Sequence, residues 1–163
     1  MSELDFLSPS LARSGGYRSP LERALRNPPE GIRDLSRTGK LEVRGELGEA
    51  SFPEGTEAVR ITSSRVLILC PYEDAPRIRA ELGGSFLSVV DLTGALAGLE
   101  LSGLRLFRRL TDLDPENLPA TGSVARVPAI VLGGGERFRL FFPQEYADYL
   151  AEVVLDSVEG LAA

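Results

Sequence analysis

The residue types that usually carry acid–base and nucleophilic chemistry are scarce in this 163-residue chain. It contains no histidine, one cysteine, Cys70, and one lysine, Lys40, so the other 17 basic residues are arginines. Ser-His-Asp and Cys-His arrangements are therefore excluded within the chain. A single cysteine forms neither an intramolecular disulfide nor a zinc site. Lys40 is the single candidate for a Schiff base, and Cys70, at the end of an apolar strand, is predicted to be a buried, inert thiol.

Three other groups of residues could do chemistry, but turn or surface structure is the more common explanation of each. Asp112 and Asp114 could hold a divalent cation or act as an acid–base pair, yet Asp-Leu-Asp-Pro is also typical of a turn. The three glycines at 133–135 lie between apolar strands, which favours a hairpin over a phosphate loop. Arg108 and Arg109 could bind a carboxylate with two hydrogen bonds, although an exposed helix face is the more usual role.

The carboxylates Asp34 and Asp91 recur at the same place in two copies of one sequence pattern. Each is followed by leucine and a hydroxyl residue and then, after a short gap, by Leu-Glu-apolar-x-Gly. Such an aspartate could hydrogen-bond a ligand amine, or it could tie its own turn together. Because so short a chain rarely carries two active sites, the repetition favours the structural role.

A second pair of segments also repeats, and the two pairs together predict the fold class. Arg-Val-Leu-Ile-Leu-Cys-Pro at 65–71 and Phe-Arg-Leu-Phe-Phe-Pro at 138–143 are apolar strands that end in proline, and each leads into a predicted helix. Two strand–strand–helix units predict an α+β fold with a pseudo-symmetric repeat. Its sheets are expected to be antiparallel or mixed, with helices packed on one face.

The chain is predicted to consist of an N-terminal arm over residues 1–18, a first α+β lobe over 19–84 and a second over 85–163, the two lobes forming one compact domain. The arm is polar with scattered apolar residues, and such a segment usually lies over its own domain or over a partner. We therefore take its apolar residues as candidates for a partner interface: Leu4, Phe6, Leu7, Leu11 and Tyr17.

Two local patterns predict particular elements in the first lobe. Ser19-Pro20 with Glu22 is a capping box, which predicts a short helix that ends at Asn27. Residues 31–45 alternate between apolar and polar types, which predicts a half-buried strand with Lys40 and Glu42 on its polar side.

Composition limits the partners and the compartment. A net charge of −6 and a pI near 4.8 argue against a nucleic-acid partner, because such proteins usually carry a basic face. No apolar run approaches the roughly 20 residues that span a bilayer, which argues against a membrane partner. The acidic N-terminus lacks the features of a signal peptide, so we expect a cytoplasmic protein.

The repeated segments resemble the glycine-cleavage T-protein superfamily, whose folate-binding aminomethyltransferase domains share one core fold. The closer resemblance is to the gamma subunit of heterotetrameric sarcosine oxidase, and it covers most of residues 31–158. The motifs that carry it are Val-Val-Asp-Leu-Thr-Gly at 89–94, Leu-Glu-Leu-Ser-Gly at 99–103, Asp-Leu-Asp-Pro at 112–115, Ala-Arg-Val-Pro-Ala at 125–129, Phe-Arg-Leu-Phe-Phe at 138–142 and Tyr-Ala-Asp-Tyr-Leu at 146–150.

The resemblance implies a T-protein-like fold and a non-catalytic accessory role, with no catalytic, cofactor or metal site in this chain. Within such a complex, the FAD, FMN, NAD, tetrahydrofolate and zinc sites belong to larger partner subunits, and the reaction is the oxidative demethylation of sarcosine. This chain would supply packing surface to a larger subunit, and the isolated chain could form a homodimer.

Two alternatives stay open at this point. One is a stand-alone folate-binding or aminomethyltransferase-like module, in which Asp91 would reach the pterin and Arg108 or Arg126 the glutamate tail. The other is a homo-oligomeric structural protein that kept the fold without the complex.

Overall fold

The computed structural model describes residues 16–163, in which nine strands and three α-helices are formed. None of the helices in this part of the chain is long and apolar enough to cross a membrane. The strands are β1 (Ile32–Asp34), β2 (Thr38–Arg44), β3 (Glu57–Thr62), β4 (Arg65–Pro71), β5 (Ser88–Asp91), β6 (Leu96–Ser102), β7 (Ala120–Val124), β8 (Val127–Gly134) and β9 (Arg137–Pro143). The helices are α1 (Ala75–Leu82), α2 (Leu104–Leu110) and α3 (Ala147–Ala162).

The strands form two antiparallel sheets that face each other. The five-stranded sheet has the order β1-β6-β9-β8-β7, and the four-stranded sheet has the order β3-β4-β2-β5. Helices α2 and α3 pack on the outer face of the five-stranded sheet, and α1 packs on that of the four-stranded sheet. Between the sheets lies a smaller apolar core of Leu67, Leu69, Ile130, Leu132 and Phe141. The predicted α+β class, with helices on one face of each sheet, is confirmed.

The two repeated units exchange their first strands. Strand β1 of the first unit pairs with β6 in the five-stranded sheet, while β5 of the second unit pairs with β2 in the four-stranded sheet. The order β1-β6-β9-β8 therefore corresponds to β5-β2-β4-β3, and β7 has no counterpart. This exchange interlocks the two units, and the lobe boundary between residues 84 and 85 stays a prediction.

The prediction of one half-buried strand over residues 31–45 was wrong. The segment forms two strands in different sheets, β1 and β2, and the polar side of β2 is buried along with its apolar side. Lys40 is 0% exposed and Glu42 5% exposed. The reason is that this side of β2 faces the other sheet, whereas Leu41 and Val43 face α1.

The helix predicted to begin at Ser19 is also absent, and the segment forms turns instead. The Ser19 hydroxyl does accept the Leu21 N–H at 3.0 Å, as a cap would, and the Leu25 N–H donates to the Leu21 C=O at 2.8 Å. The prolines at 28 and 29 leave too few residues to offset the cost of starting a helix. Contacts of Leu21 and Leu25 with the core of the five-stranded sheet fix the segment.

Candidate functional site

The two copies of the Asp-Leu-hydroxyl pattern meet at the point where the units cross. The Asp34 carboxylate accepts the Ser36 N–H at 2.8 Å, and the Asp91 carboxylate accepts the Thr93 N–H at 2.9 Å. Both are Asx turns, in which an aspartate bonds the backbone two residues later. Each carboxylate therefore ties its own turn, as the repetition predicted.

The hydroxyl of each copy bonds to the backbone of the other unit. Thr93 Oγ1 accepts the Lys40 N–H at 3.0 Å and donates to the Lys40 C=O at 3.5 Å. Ser36 Oγ accepts the Gly98 N–H at 3.1 Å and donates to the Gly98 C=O at 3.4 Å. Lys40 and Gly98 occupy equivalent positions. The pairing of β2 with β4 begins at Thr38 and that of β6 with β9 begins at Leu96, and Lys40 and Gly98 each lie two residues after that start. We call these four residues, with Asp34 and Asp91, the junction.

Lys40 is enclosed within the junction. Its Nζ donates to the C=O groups of Ser36 and Thr38, both at 2.7 Å, and to that of Thr93 at 3.4 Å. Burial lowers the pKa of this ammonium from 10.5 to about 8, and the carboxylates of Asp91 and Asp34 oppose part of the shift. The amine is therefore aimed at backbone oxygens and holds the two turns together, which is a structural use of the candidate Schiff-base residue.

The repeat creates two equivalent flanks between the sheets, and on one of them ion pairs join the sheets beside a cavity of about 500 Å³. Arg139 of β9 donates to both carboxylate oxygens of Glu57 in β3, at 2.7 and 2.6 Å. The hydrogen bond with Arg139 lowers the pKa of Glu57, although burial opposes it. Arg33 of β1 pairs with Glu100 of β6 at 3.4 Å. We call this the closed flank.

The other flank has apolar residues at the matching positions, and we call it the open flank. The strand registers place Leu67 where the closed flank has Arg139, Ile130 in place of Glu57, and Val90 in place of Arg33. Val90 is 43% exposed, although its side chain is apolar. The sheets are therefore bridged by charge on one side only.

A surface groove of about 520 Å³ lies along the open flank. Most of its wall is apolar and comprises Leu92, Leu96, Pro128, Ala129, Ile130, Phe141 and Pro143. Two arginines also line it. Arg65 is held by Glu42 at 2.6 Å, whereas Arg126 has no carboxylate partner within residues 16–163. We call this the apolar groove. Sequence reasoning named Arg126 but not the groove, because the groove depends on how the sheets overlap.

The three residues proposed for folate lie at different places. Asp91 lines a cavity of about 770 Å³ together with Tyr17 and Tyr72. Arg126 lines the apolar groove, and Arg108 is exposed on α2. Their role in folate binding stays a prediction.

The proposed interface residues fall largely outside the described part of the chain. Leu4, Phe6, Leu7 and Leu11 precede residue 16. Tyr17 is half-buried, and its ring packs on Tyr72 with the centroids 5.0 Å apart. Burial, with the nearby Asp34 charge, raises the pKa of Tyr17. The interface role of all five residues stays a prediction.

Cys70, Asp114 and Gly133 have structural roles. Cys70 is buried, and this burial raises the pKa of its thiol, as expected for an inert cysteine. Asp114 accepts the Glu116 N–H at 3.0 Å and so closes a turn. Gly133 lies in the β8–β9 hairpin, where a Cβ would be 2.2 Å from the Arg137 carbonyl oxygen. Across residues 16–163 no group of three histidine, cysteine, aspartate or glutamate side chains is placed to hold a metal ion.

Comparisons with known proteins identify similar folds. No protein-family model and no curated protein sequence matches the chain. Heterotetrameric sarcosine oxidase from Corynebacterium sp. U-96, in complex with pyrrole 2-carboxylate, contains a similar chain with a TM-score of 0.68 and 18% identity. The match covers 90% of this chain and 97% of that one. At these identities such matches establish the fold.

A second similar structure is the glycine cleavage system aminomethyltransferase T from Bartonella henselae, with a TM-score of 0.59 and 17% identity. That match covers 83% of this chain but 48% of the aminomethyltransferase, so this chain spans about half its length. The regulatory subunit of aspartate kinase from Thermus thermophilus is also similar, with a TM-score of 0.50 and 10% identity, over 78% of this chain and 97% of that one. The T-protein-like fold is therefore established.

Proposed function

We propose that this protein is a non-catalytic accessory subunit of a heterotetrameric complex related to sarcosine oxidase. It supplies packing surface to a larger subunit, and the complex oxidatively demethylates sarcosine or a similar secondary amino acid. The observation that carries this proposal is the extent of the match with the sarcosine oxidase chain, which covers 90% of this chain and 97% of that one. The similarity extends over nearly the whole length of a chain from a heterotetrameric enzyme.

The placement of the chemically versatile side chains supports the same role. Lys40 donates to backbone carbonyls inside the junction, and Cys70 is buried with a raised pKa. The Lys40 amine and the Cys70 thiol therefore have structural roles within the fold. The apolar groove is the kind of surface that a protein partner covers.

In this proposal the redox groups lie outside the chain. The larger partner subunits hold FAD, FMN, NAD and tetrahydrofolate, as the resemblance implies. This chain would influence catalysis only by stabilising the subunit on which it packs, since obligate interfaces of about 2,000 Å² or more often decide whether the subunits fold at all.

The test is to purify a tagged copy of the chain from its native cells and to identify what accompanies it. We expect larger chains in a fixed molar ratio, visible flavin absorbance, and sarcosine-dependent reduction of an artificial electron acceptor. Recovery of a colourless chain without partners would refute the proposal. A tag at the C-terminus is preferable, because the predicted interface includes the N-terminal arm.

A stand-alone folate-binding module is the second candidate function. It is favoured by the similarity to aminomethyltransferase T and by Asp91, which lines a cavity beside two tyrosines. Calorimetric titration with tetrahydrofolate distinguishes the two functions. Saturable binding to the isolated chain that Asp91→Asn abolishes would favour the module, whereas no heat of binding would favour the accessory subunit.

A further inference from the structure

The open flank differs from its symmetry-related counterpart in how the two sheets are joined. The closed flank bridges the sheets with Arg139 and Glu57, while the open flank has Leu67 and Ile130 at those positions and leaves Val90 exposed. Strand β7 has no counterpart in the four-stranded sheet, and its Thr121 is exposed and lines the groove. The groove on the open flank therefore has a largely apolar wall, whereas Arg33, Glu57, Glu100 and Arg139 line a cavity of about 500 Å³ on the closed flank.

We propose that the apolar groove is the docking site for a segment of the larger partner subunit that carries apolar side chains and one carboxylate. This inference rests on the proposed function. The apolar side chains would cover Leu92, Leu96 and Phe141, and the carboxylate would pair with Arg126. Apolar centres with arginine at their margin are typical of the energetically important parts of interfaces.

The charge of the groove selects this occupant. Arg65 already pairs with Glu42, which also binds Arg44 at 2.6 Å. Arg126 is thus the groove's one arginine without a carboxylate within residues 16–163. The chain as a whole carries a net charge of −6. The negative charge of the chain would repel an acidic partner over most of the protein surface. A carboxylate can therefore approach favourably only beside an exposed arginine such as Arg126, which is unpaired in the part of the chain that the structure describes.

The turn that carries Arg126 is held in a conformation that non-glycine residues rarely adopt. Ala125 has φ 47° and Arg126 has φ 70°. The Ala125 N–H donates to the Leu110 C=O at 2.6 Å, and the Ala125 C=O accepts the Tyr149 hydroxyl at 3.0 Å. Two successive positive φ angles are typical of the type I′ turn, and these two residues join β7 to β8 across the Val124–Val127 pair. Here α2 and α3 fix the direction in which Arg126 leaves the chain.

Site-specific photo-cross-linking in the assembled complex tests the proposal. A benzoylphenylalanine replaces Thr121 in the groove or, as a control, Glu152 on the exposed face of α3. We expect the Thr121 position alone to cross-link to a larger subunit, at an apolar segment with an aspartate or glutamate. Cross-links to a second copy of this chain, to its own residues 1–15, or to nothing while the complex stays assembled would each overturn the docking site.

Charge reversal provides an independent measurement. Arg126→Glu should raise the dissociation constant of the complex about tenfold or more, whereas Arg126→Lys should have a smaller effect. Arg105→Glu, on the exposed surface of α2, is the matched control for the change in net charge. Equal affinities for the Arg126→Glu and Arg105→Glu proteins would overturn the inference. If no larger subunit is recovered even with the unmodified chain, the proposed function itself fails, which distinguishes the two failures.

Discussion

Arg139 and Glu57 join the two sheets of the protein by a pair of hydrogen bonds, 2.7 and 2.6 Å long, between β9 and β3. The equivalent positions across the internal pseudo-symmetry are Leu67 and Ile130, which contact each other's sheets through apolar packing. A duplicated framework thus uses an ionic contact on one flank and an apolar contact on the other. The difference makes the ionic flank sensitive to pH.

Glu57→Gln should destabilise the protein slightly, and only where Glu57 is ionised. Arg139 lowers the pKa of Glu57 below 4.5, so the pair stabilises the fold above that pH and the stabilisation is lost as the pH falls through the lowered pKa. Because Glu57 is half exposed, we expect a loss of about 0.5–1 kcal/mol at neutral pH.

Urea denaturation at neutral pH and at a pH below the Glu57 pKa measures this effect, with the exposed Glu116→Gln as the control. The difference between Glu57→Gln and the parent should vanish at acidic pH. A difference that persists there would show that the ion pair is not its source.

Lys40→Met should remove a dependence of stability on alkaline pH. The pKa of Lys40 is about 8 in the fold and 10.5 when exposed, so the unfolded chain binds more protons between these values. The free energy of unfolding attributable to Lys40 therefore rises with pH across this window, by up to about 3 kcal/mol. The raised pKa values of Cys70 and Tyr17 act in the opposite direction in both proteins, and the loss of Lys40 removes one interaction that lowers the pKa of Cys70.

Guanidinium titrations at several pH values from 7 to 10.5 give the two curves. We expect the parent to gain stability relative to Lys40→Met as the pH rises. Parallel curves would mean that the amine is solvated and that the junction does not depend on its burial. At the alkaline end, where the buried amine is neutral, the variant should be less stable than the parent, because three carbonyls that Lys40 bonds lose their donor.

The features that the sequence predicted correctly depend on local interactions. The Asx turns at Asp34 and Asp91, the hairpin at Gly133 and the turn at Asp114 each follow from residues within a few positions of one another. The two repeated units were visible for the same reason, since a duplicated pattern of strand, proline and helix is a local signal.

The features that the sequence did not predict depend on pairing between distant segments. Lys40 and Glu42 alternate with Leu41 and Val43 as in a half-exposed strand, and this pattern is the same whether the polar side meets water or another sheet. The exchange of β1 and β5 is decided by strand pairing across the units. The apolar groove follows from β7, which has no counterpart in the four-stranded sheet.

Thr93→Val should cost more than its similar shape suggests. The hydroxyl serves both backbone groups of Lys40, and it is buried, so its loss leaves a donor without its partner. We expect a loss of about 1–3 kcal/mol in the free energy of unfolding. Ser36→Ala removes the equivalent hydroxyl at Gly98 and should cost a similar amount.

Chemical denaturation of both variants checks this expectation, with the exposed Ser123→Ala as the control. The pseudo-symmetry predicts comparable losses for Thr93→Val and Ser36→Ala. If either variant is as stable as the control, the corresponding half of the junction does not contribute to the fold.

Gly98→Ala should be among the most disruptive small substitutions in the chain. Gly98 is the counterpart of Lys40 in the repeat. The smallest residue type therefore stands at one of the two equivalent positions and a long side chain at the other, and both lie beside the ring of Phe141. The Lys40 Nζ lies 5.9 Å from the centroid of Phe141, while a Cβ at Gly98 would lie 2.9 Å from the same ring and 2.8 Å from the Leu35 carbonyl oxygen. The ring and the backbone cannot both move away, because Phe141 is buried in the core between the sheets.

Overpacking of this kind typically costs about 1–3 kcal/mol. Gly94→Ala is the matched control, because a Cβ there meets no atom within 4 Å. We expect a large fall in the melting temperature for Gly98→Ala and none for Gly94→Ala, measured by circular dichroism. Equal melting temperatures would mean that the sheets separate easily at the junction. In that case the contacts of the two units around Phe141 would not stabilise their association.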